Sequence, residues 1–146
     1  VSILLTVGTF QRGIKNALKT AFELLKIIIP VYAVVTILNH TPVIGWVSKI
    51  FQPLMNLVGL PGEAALALVM AMFVNVYTAI GIIVALNLTV WQITIIGVMI
   101  NFAHELIVET AVLKKTGVKI WPVLTVRLGG AFLAGFTLNL VQQIVI

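Results

Sequence analysis

From Ala64 to His104 the chain carries no formal charge, and eight of its nine basic residues stand in two clusters on either side of that stretch. The first cluster is Arg12, Lys15, Lys19 and Lys26; the second is Lys114, Lys115, Lys119 and Arg127; only Lys49 lies between them. A fold of 146 residues that is 61% hydrophobic and 9% charged cannot screen its core with its own side chains. Soluble domains carry roughly a quarter of their residues as charges. Mean hydropathy is +1.19, so lipid must provide the cover. The chain is expected to be an all-α integral membrane protein.

The net charge of +5 raises the question of a nucleic-acid partner. Here the basic residues flank apolar runs, as the positive-inside pattern requires, and they form no stripe with interleaved aromatics. Nucleic acid is therefore set aside. There is no cysteine, which excludes disulfides, thiolate metal ligands and thiol redox chemistry. Residues 1–9 read as a short apolar leader, too short to span and without the basic start of a signal peptide. Residues 10–146 read as a single membrane domain.

Gln11–Leu38 is expected to be one long helix with two characters. In its first half Ile14, Leu18, Phe22 and Leu25 recur at helical spacing, opposite Arg12, Lys15 and Lys19. Its second half is apolar and carries Pro30, a potential kink. The helix thus begins on the membrane surface and then enters the bilayer, with Lys26 reaching back to the headgroups. Thr41-Pro42 starts a second, interfacial helix with Trp46, Ile50 and Leu54 on one face and Ser48, Lys49, Gln52 and Asn56 on the other. Pro53 is expected to interrupt it, and Gly59-Leu60-Pro61-Gly62-Glu63 to end it and start the next, with Glu63 in the first turn.

Ala64–Leu86 has the length of a transmembrane helix, but Asn75-Val76-Tyr77-Thr78-Ala79-Ile80-Gly81 places three hydrogen-bonding side chains and a glycine in its middle. A first arm of Pro61–Val74 is ~21 Å long, too short for a ~30 Å hydrocarbon layer. The charge map arbitrates. A full crossing would put the two basic clusters on opposite faces, whereas a re-entrant hairpin puts both on one face, assigned to the cytoplasm. The hairpin is the preferred reading. Val90–Thr116 then crosses, capped by Asn87 or Thr89, and Pro122–Ile146 crosses last. Trp46 and Trp91 fall at the outer interface and Trp121 at the inner. Gly129, Gly130, Ala131, Ala134 and Gly135 give the last helix a smooth packing face.

Polar groups within these spans are costly and mark candidate sites. Asn101, His104 and Glu105 lie near mid-bilayer on the Val90–Thr116 helix, with Glu109 about two turns deeper than Asn101. Arg127 falls at about the depth of Glu109, and the two are expected to form a structural ion pair. Asn75, Tyr77 and Thr78 at the hairpin tip complete the set, because a broken helix exposes backbone groups that transporters use to hold solutes. His104-Glu105-Leu106-Ile107-Val108 lacks the second histidine of an H-E-x-x-H zinc motif, position 108 being valine. No metal, no cofactor and no enzymatic nucleophile are expected.

This order of motifs resembles the Gate, or nucleoside recognition, domain of spore maturation proteins, bacterial ferrous-iron transporters and, more distantly, concentrative nucleoside transporters. The likeness covers roughly residues 10–139. It rests on the first helix, on Gly59-Leu60-Pro61-Gly62-Glu63-Ala64-Ala65-Leu66-Ala67-Leu68, on Phe73 to Gly81, and on Ala103-His104-Glu105-Leu106-Ile107-Val108-Glu109 with a later basic residue, Arg127. The resemblance implies substrate contacts at the tip, at Asn75, Tyr77 and Thr78. The Gly-Gln-x-Glu-type tip of the nucleoside transporters and the Lys-Glu residues of the iron transporters are not reproduced, so neither substrate is inherited.

Full transporters of the family contain two such modules in opposite orientations. This chain has one and contains no internal repeat. The resemblance therefore implies a half-size transport module in the cell (inner) membrane, completed by a second Gate-domain protein of opposite orientation or by a homodimer. Its site would take a small solute or ion, with Asn101 lining it and His104 or Glu105 carrying coupling protons. The alternative is a non-transporting membrane scaffold of the spore maturation type.

Overall fold

The structure, a computed structural model, describes residues 7–145, of which the side chains of Val7 and Asn39 are left aside. Residues 1–6, most of the expected leader, lie outside the described residues. Seven helices follow one another: α1 (Val7–Asn39), α2 (Pro42–Asn56), α3 (Ala64–Phe73), α4 (Val76–Ala85), α5 (Val90–Ala103), α6 (Leu106–Lys115) and α7 (Ile120–Val145). Among the described residues there is no strand. Three stretches are long and apolar enough to cross a membrane: Gly8–Leu38, Val90–Lys115 and Ile120–Val145.

The long apolar helix expected over Gln11–Leu38 is α1, which runs through Pro30 without ending. After it the chain turns at His40 and Thr41. The Thr41 hydroxyl donates back to the Leu38 carbonyl at 2.7 Å instead of capping α2. Pro53 does not interrupt α2, contrary to expectation: the helix runs on through it to Asn56, and because Pro53 sits in the last turn only three residues follow the bond it cannot donate to the Lys49 carbonyl. Glu63 also differs from its expected place, since it precedes α3 rather than sitting inside its first turn. The three residues before α3 still coil helically, with amides of Ala64, Ala65 and Leu66 bonded to the carbonyls of Pro61, Gly62 and Glu63.

The α2–α3 connection is held close. A Cβ on Gly62 would run into the Ser48 backbone, and its amide donates to Gln52 Oε1 at 3.0 Å. Ser48 donates to Glu63 Oε2 at 2.9 Å. Gly59, at φ +71, packs on the Asn139 side chain, whose Nδ2 donates to the Leu57 carbonyl at 3.3 Å. A polar residue in the middle of an apolar helix thus ties α7 to this turn.

Helix directions follow from which residues meet. Leu66 and Met70 of α3 share one cleft with Ile82 and Thr78 of α4, so the two short helices are antiparallel. Gly81 lies against Val31 and the Ile28 carbonyl, while Tyr32, Thr36 and His40 share a cleft with Ala85 to Asn87; α1 and α4 therefore run the same way. Gly81 serves as a close-packing residue, not a flexible one. Phe102 packs on Gly130, and Met99 on Gly135, making α5 and α7 antiparallel. Gly130, Ala131 and Gly135 form the smooth face of α7, whereas a Cβ on Gly129 would meet nothing within 4 Å.

The core gathers on α3, the short helix surrounded by α2, α4, α5 and α6. Ala64, Ala67, Ala71, Ala79, Ile95, Ile96, Met99 and Ala103 are fully buried there. Small residues let backbones approach closely where lipid supplies no hydrophobic drive. One end of the bundle collects the end of α1, helix α2 and the turns on either side of the α3–α4 pair. The start of α1 and the end of α6 lie at the other.

A candidate site where two helices break

The chain departs from helix twice at the same level of the bundle. The first break was expected: Val74 and Asn75 leave the helical region, and the chain folds back as α4. Asn75 shapes this break. Its Oδ1 accepts from the Thr78 amide at 2.8 Å and from the Thr78 hydroxyl at 3.0 Å, a side-chain cap on the first turn of α4. The Val74 and Asn75 amides both reach back to the Met70 carbonyl, which leaves the next carbonyl, that of Ala71, without a partner from its own strand of chain.

The second break was not expected. The crossing Val90–Thr116 is present as a candidate span, Val90–Lys115, but its helix is interrupted at His104 and Glu105. It starts on Thr89, where the Thr89 hydroxyl accepts from the Gln92 amide and Gln92 Oε1 accepts from the Thr89 amide. It then stops at Ala103. His104 is extended, and Glu105 is left-handed at φ 49, ψ 40, the sole non-glycine with positive φ among the described residues. Such a conformation costs an L-residue about 1–3 kcal/mol and persists where surrounding contacts impose it.

Those contacts come from two neighbours. The Glu105 amide donates to the Ala71 carbonyl at 2.8 Å, so each break satisfies a group freed by the other. Arg127 does the rest. Its Nε donates to the Phe102 carbonyl at 2.7 Å and its Nη2 to the His104 carbonyl at 3.2 Å, while Nη1 faces the Glu109 carboxylate. A guanidinium fork here acts as a C-terminal cap on α5 and as the counter-ion of α6. His104 Nδ1 lies 3.2 Å from the Ile100 carbonyl, one turn back, and occupies another of the freed acceptors.

The sequence-derived site residues therefore fall into separate groups. Thr78 is buried and lines an apolar cleft of about 300 Å³ with Pro30, Val31, Val34, Leu66 and Met70, facing α1. Asn75 adjoins it, and Tyr77 is exposed. His104 and Glu105 are half-buried at the junction with α3, and the Glu105 carboxylate has no hydrogen-bond or ionic partner among the described residues. Asn101 is exposed on α5, and its side chain makes no hydrogen bond among the described residues. Glu109 and Arg127 sit together on the α6–α7 side. Among the described residues no group of three or more His, Asp or Glu side chains is placed to hold a metal ion.

Two contributions were not read from the sequence. The partner expected for Arg127 is Glu109 alone, whereas a cation in an apolar helix can equally serve the carbonyls of a broken neighbour. Asn139 is the second. Its signal is the isolated amide in Thr137-Leu138-Asn139-Leu140, and it is buried at 8% exposure.

The family model for nucleoside recognition, Gate, matches residues 21–115. That span takes in most of α1, the hairpin and both halves of the broken helix. The chain is 40% identical over 132 residues to a protein of Bacillus subtilis (strain 168) described as an uncharacterized membrane protein, YvoD. The match covers 90% of this chain and 42% of that protein, so the chain spans well under half the length of the relative. No solved structure matches. With its helical bundle, three spans and the matched segment running through both breaks, the chain belongs to the Gate (nucleoside recognition) family of membrane proteins.

Proposed function

We propose that the chain is a half-size transport module, in which the paired breaks form one half of a midplane site for a small solute or ion. The observation that carries this reading is the Glu105 amide bonded to the Ala71 carbonyl, which holds two interrupted helices together at one level. Irregular backbone at membrane depth is tolerated where it meets protein or a cavity, and transporters place their solutes at such points. Glu105 and His104 are the ionisable side chains of the second break itself, and they are suited to carry coupling protons. Asn75, Tyr77 and Thr78 would supply contacts from the tip, and Asn101 from α5.

The other half comes from a partner. The α3–α4 pair occupies only part of the bundle's height, each helix being ten residues or ~15 Å long. An apolar cleft of about 330 Å³, lined by Phe73, Leu106, Ile107, Thr110, Leu124 and Leu128, opens beside the tip. A second Gate protein of opposite orientation, or a second copy of this chain, would bring its own hairpin there. The greater length of the Bacillus subtilis relative supports a larger functional unit. In this reading the module sits in the cell membrane with both basic clusters in the cytoplasm.

Reconstitution tests it. Protein alone, and with a co-purified Gate partner, is placed in proteoliposomes containing a pH-sensitive dye and challenged with a panel of small solutes. Solute-dependent proton movement that is lost in Glu105→Gln supports the module. No solute bound or moved by either preparation, with Tyr77→Ala and His104→Ala leaving the cellular phenotype intact, would replace it with a scaffold role in membrane assembly.

A further inference from the structure

Much of the first half of α1 stands clear of the other described helices. From Phe10 to Glu23 every residue is exposed, and the helix meets the bundle at Ile28 and Val31, against Gly81. The free arm is ordered in composition nonetheless. At 100° per residue, Phe10, Ile14, Leu18, Phe22 and Leu25 fall in an arc of ~120°. Arg12, Lys15, Lys19 and Lys26 do not stand opposite it, contrary to expectation, but fall in an adjoining arc of only ~60°, along one flank of that stripe. Phe10, Leu18 and Phe22 are 70%, 59% and 67% exposed, so the stripe is large and open.

The same end of the bundle carries the second cluster. Lys114 and Lys115 close α6, Lys119 lies in the turn that follows, and Trp121, 80% exposed, begins α7. This end holds seven cations outside the Arg127–Glu109 pair and one carboxylate, Glu23, which lies 4.0 Å from Lys19. Such a field selects its occupant. A second copy in the same orientation would set the same cations against these and be repelled, and a copy in the opposite orientation would place its basic end on the far side. An apolar stripe bordered by cations on one flank fits a leaflet surface, with side chains in the acyl boundary and ammonium groups at phosphate level.

We infer that the α1 arm and the α6–α7 turn together form a docking surface for anionic phospholipid, whose phosphate-bearing headgroups line the flank defined by Arg12, Lys15 and Lys19. The surface is independent of any solute site at the helix breaks. It makes the depth and angle of α1 dependent on the charge of the leaflet.

The test uses the full chain in detergent, equilibrated with equal amounts of phosphatidylglycerol and phosphatidylcholine of matched acyl chains, with retained lipid counted by native mass spectrometry. Retention of phosphatidylglycerol is expected to exceed that of phosphatidylcholine roughly fivefold and to approach parity in ~0.5 M salt, where exposed charges are screened. The triple variant Arg12→Gln, Lys15→Gln, Lys19→Gln should lose most of the preference, while Lys49→Gln, on α2 at the other end, should keep it. Equal retention of the two lipids by the wild type overturns the inference without recourse to a variant. So does an unchanged preference in the triple variant. A triple variant that alters oligomeric state while lipid preference stays the same would assign the arm to a protein partner instead.

Discussion

The Glu105 amide and the Ala71 carbonyl, 34 positions apart in sequence, are joined by a hydrogen bond of 2.8 Å. In an unbroken α3–α4 rod that carbonyl would accept from Asn75; in an unbroken α5–α6 rod that amide would reach Asn101. Each helix forgoes a bond of its own, and one inter-helix bond recovers both groups. A lone break would leave polar backbone groups in a medium without water, at several kcal/mol each. The two interruptions are therefore interdependent.

Glu105 bears the conformational cost of this arrangement, since its backbone is left-handed while its carboxylate has no partner among the described residues. Glu105→Gly should relieve the backbone and raise stability by about 1 kcal/mol, whereas Glu105→Gln should leave stability nearly unchanged. Thermal unfolding in detergent separates the two. If Glu105→Gly is instead destabilising, the side chain holds the break open through a contact of its own, and the account of strain fails.

Arg127 supplies three interactions to a neighbour that would otherwise end in open carbonyls. Arg127→Met should cost about 3–5 kcal/mol, because it strands the Glu109 carboxylate and uncaps Phe102 and His104 together. Arg127→Lys should recover only part of this, a single ammonium being unable to reproduce the fork. Combining Arg127→Met with Glu109→Gln should be milder than the sum of the two. Strict additivity, measured as a double-mutant cycle on unfolding midpoints, would mean that the pair is solvated and contributes little.

Much of this architecture was legible in the chain, and the exceptions have a common physical cause. The charge-free run, the Pro42 helix start, the cap at Thr89 (one of two offered, with Asn87) and the Asn75 break are local signals, each carried by residues within a few positions of the effect. The break at His104–Glu105 is not local. Val90 to Lys115 is long and apolar enough for one helix, and what divides it are Ala71 and Arg127, which belong to other elements. In the sequence the polar pair His104-Glu105 marks a candidate site but not an interruption. Pro53 gave the opposite error, a local breaker placed where the helix was already ending.

Asn75 tests whether the hairpin tip is built by its cap. The side-chain oxygen satisfies both the Thr78 amide and the Thr78 hydroxyl, the latter belonging to a residue only 5% exposed. Asn75→Ala should destabilise by about 1–2 kcal/mol and raise hydrogen exchange at the Thr78 amide, while Asn75→Asp and Asn75→Ser should hold close to wild type in both. Equal losses in all three variants would show that the amide nitrogen, not the oxygen, is what the tip requires.

Three glycines give a graded measure of how tightly the elements approach. At Gly62 an added methyl meets the carbonyl and the backbone carbon of Ser48, the latter 2.7 Å away, and neither can rotate aside. At Gly135 the nearest atom is Met99 Sδ, also 2.7 Å away, but it belongs to a flexible thioether that can adjust. At Gly129 the methyl meets nothing within 4 Å. Gly62→Ala should therefore cost about 3 kcal/mol or more by forcing the α2–α3 turn off the Ser48 backbone. Gly135→Ala should cost about 1 kcal/mol, and Gly129→Ala should gain roughly 0.5–1 kcal/mol from helix propensity alone. The order matters more than the magnitudes: unfolding temperatures that rank Gly135→Ala below Gly62→Ala would mean that the α5–α7 contact, not the turn beneath α3, is the rigid part of the bundle.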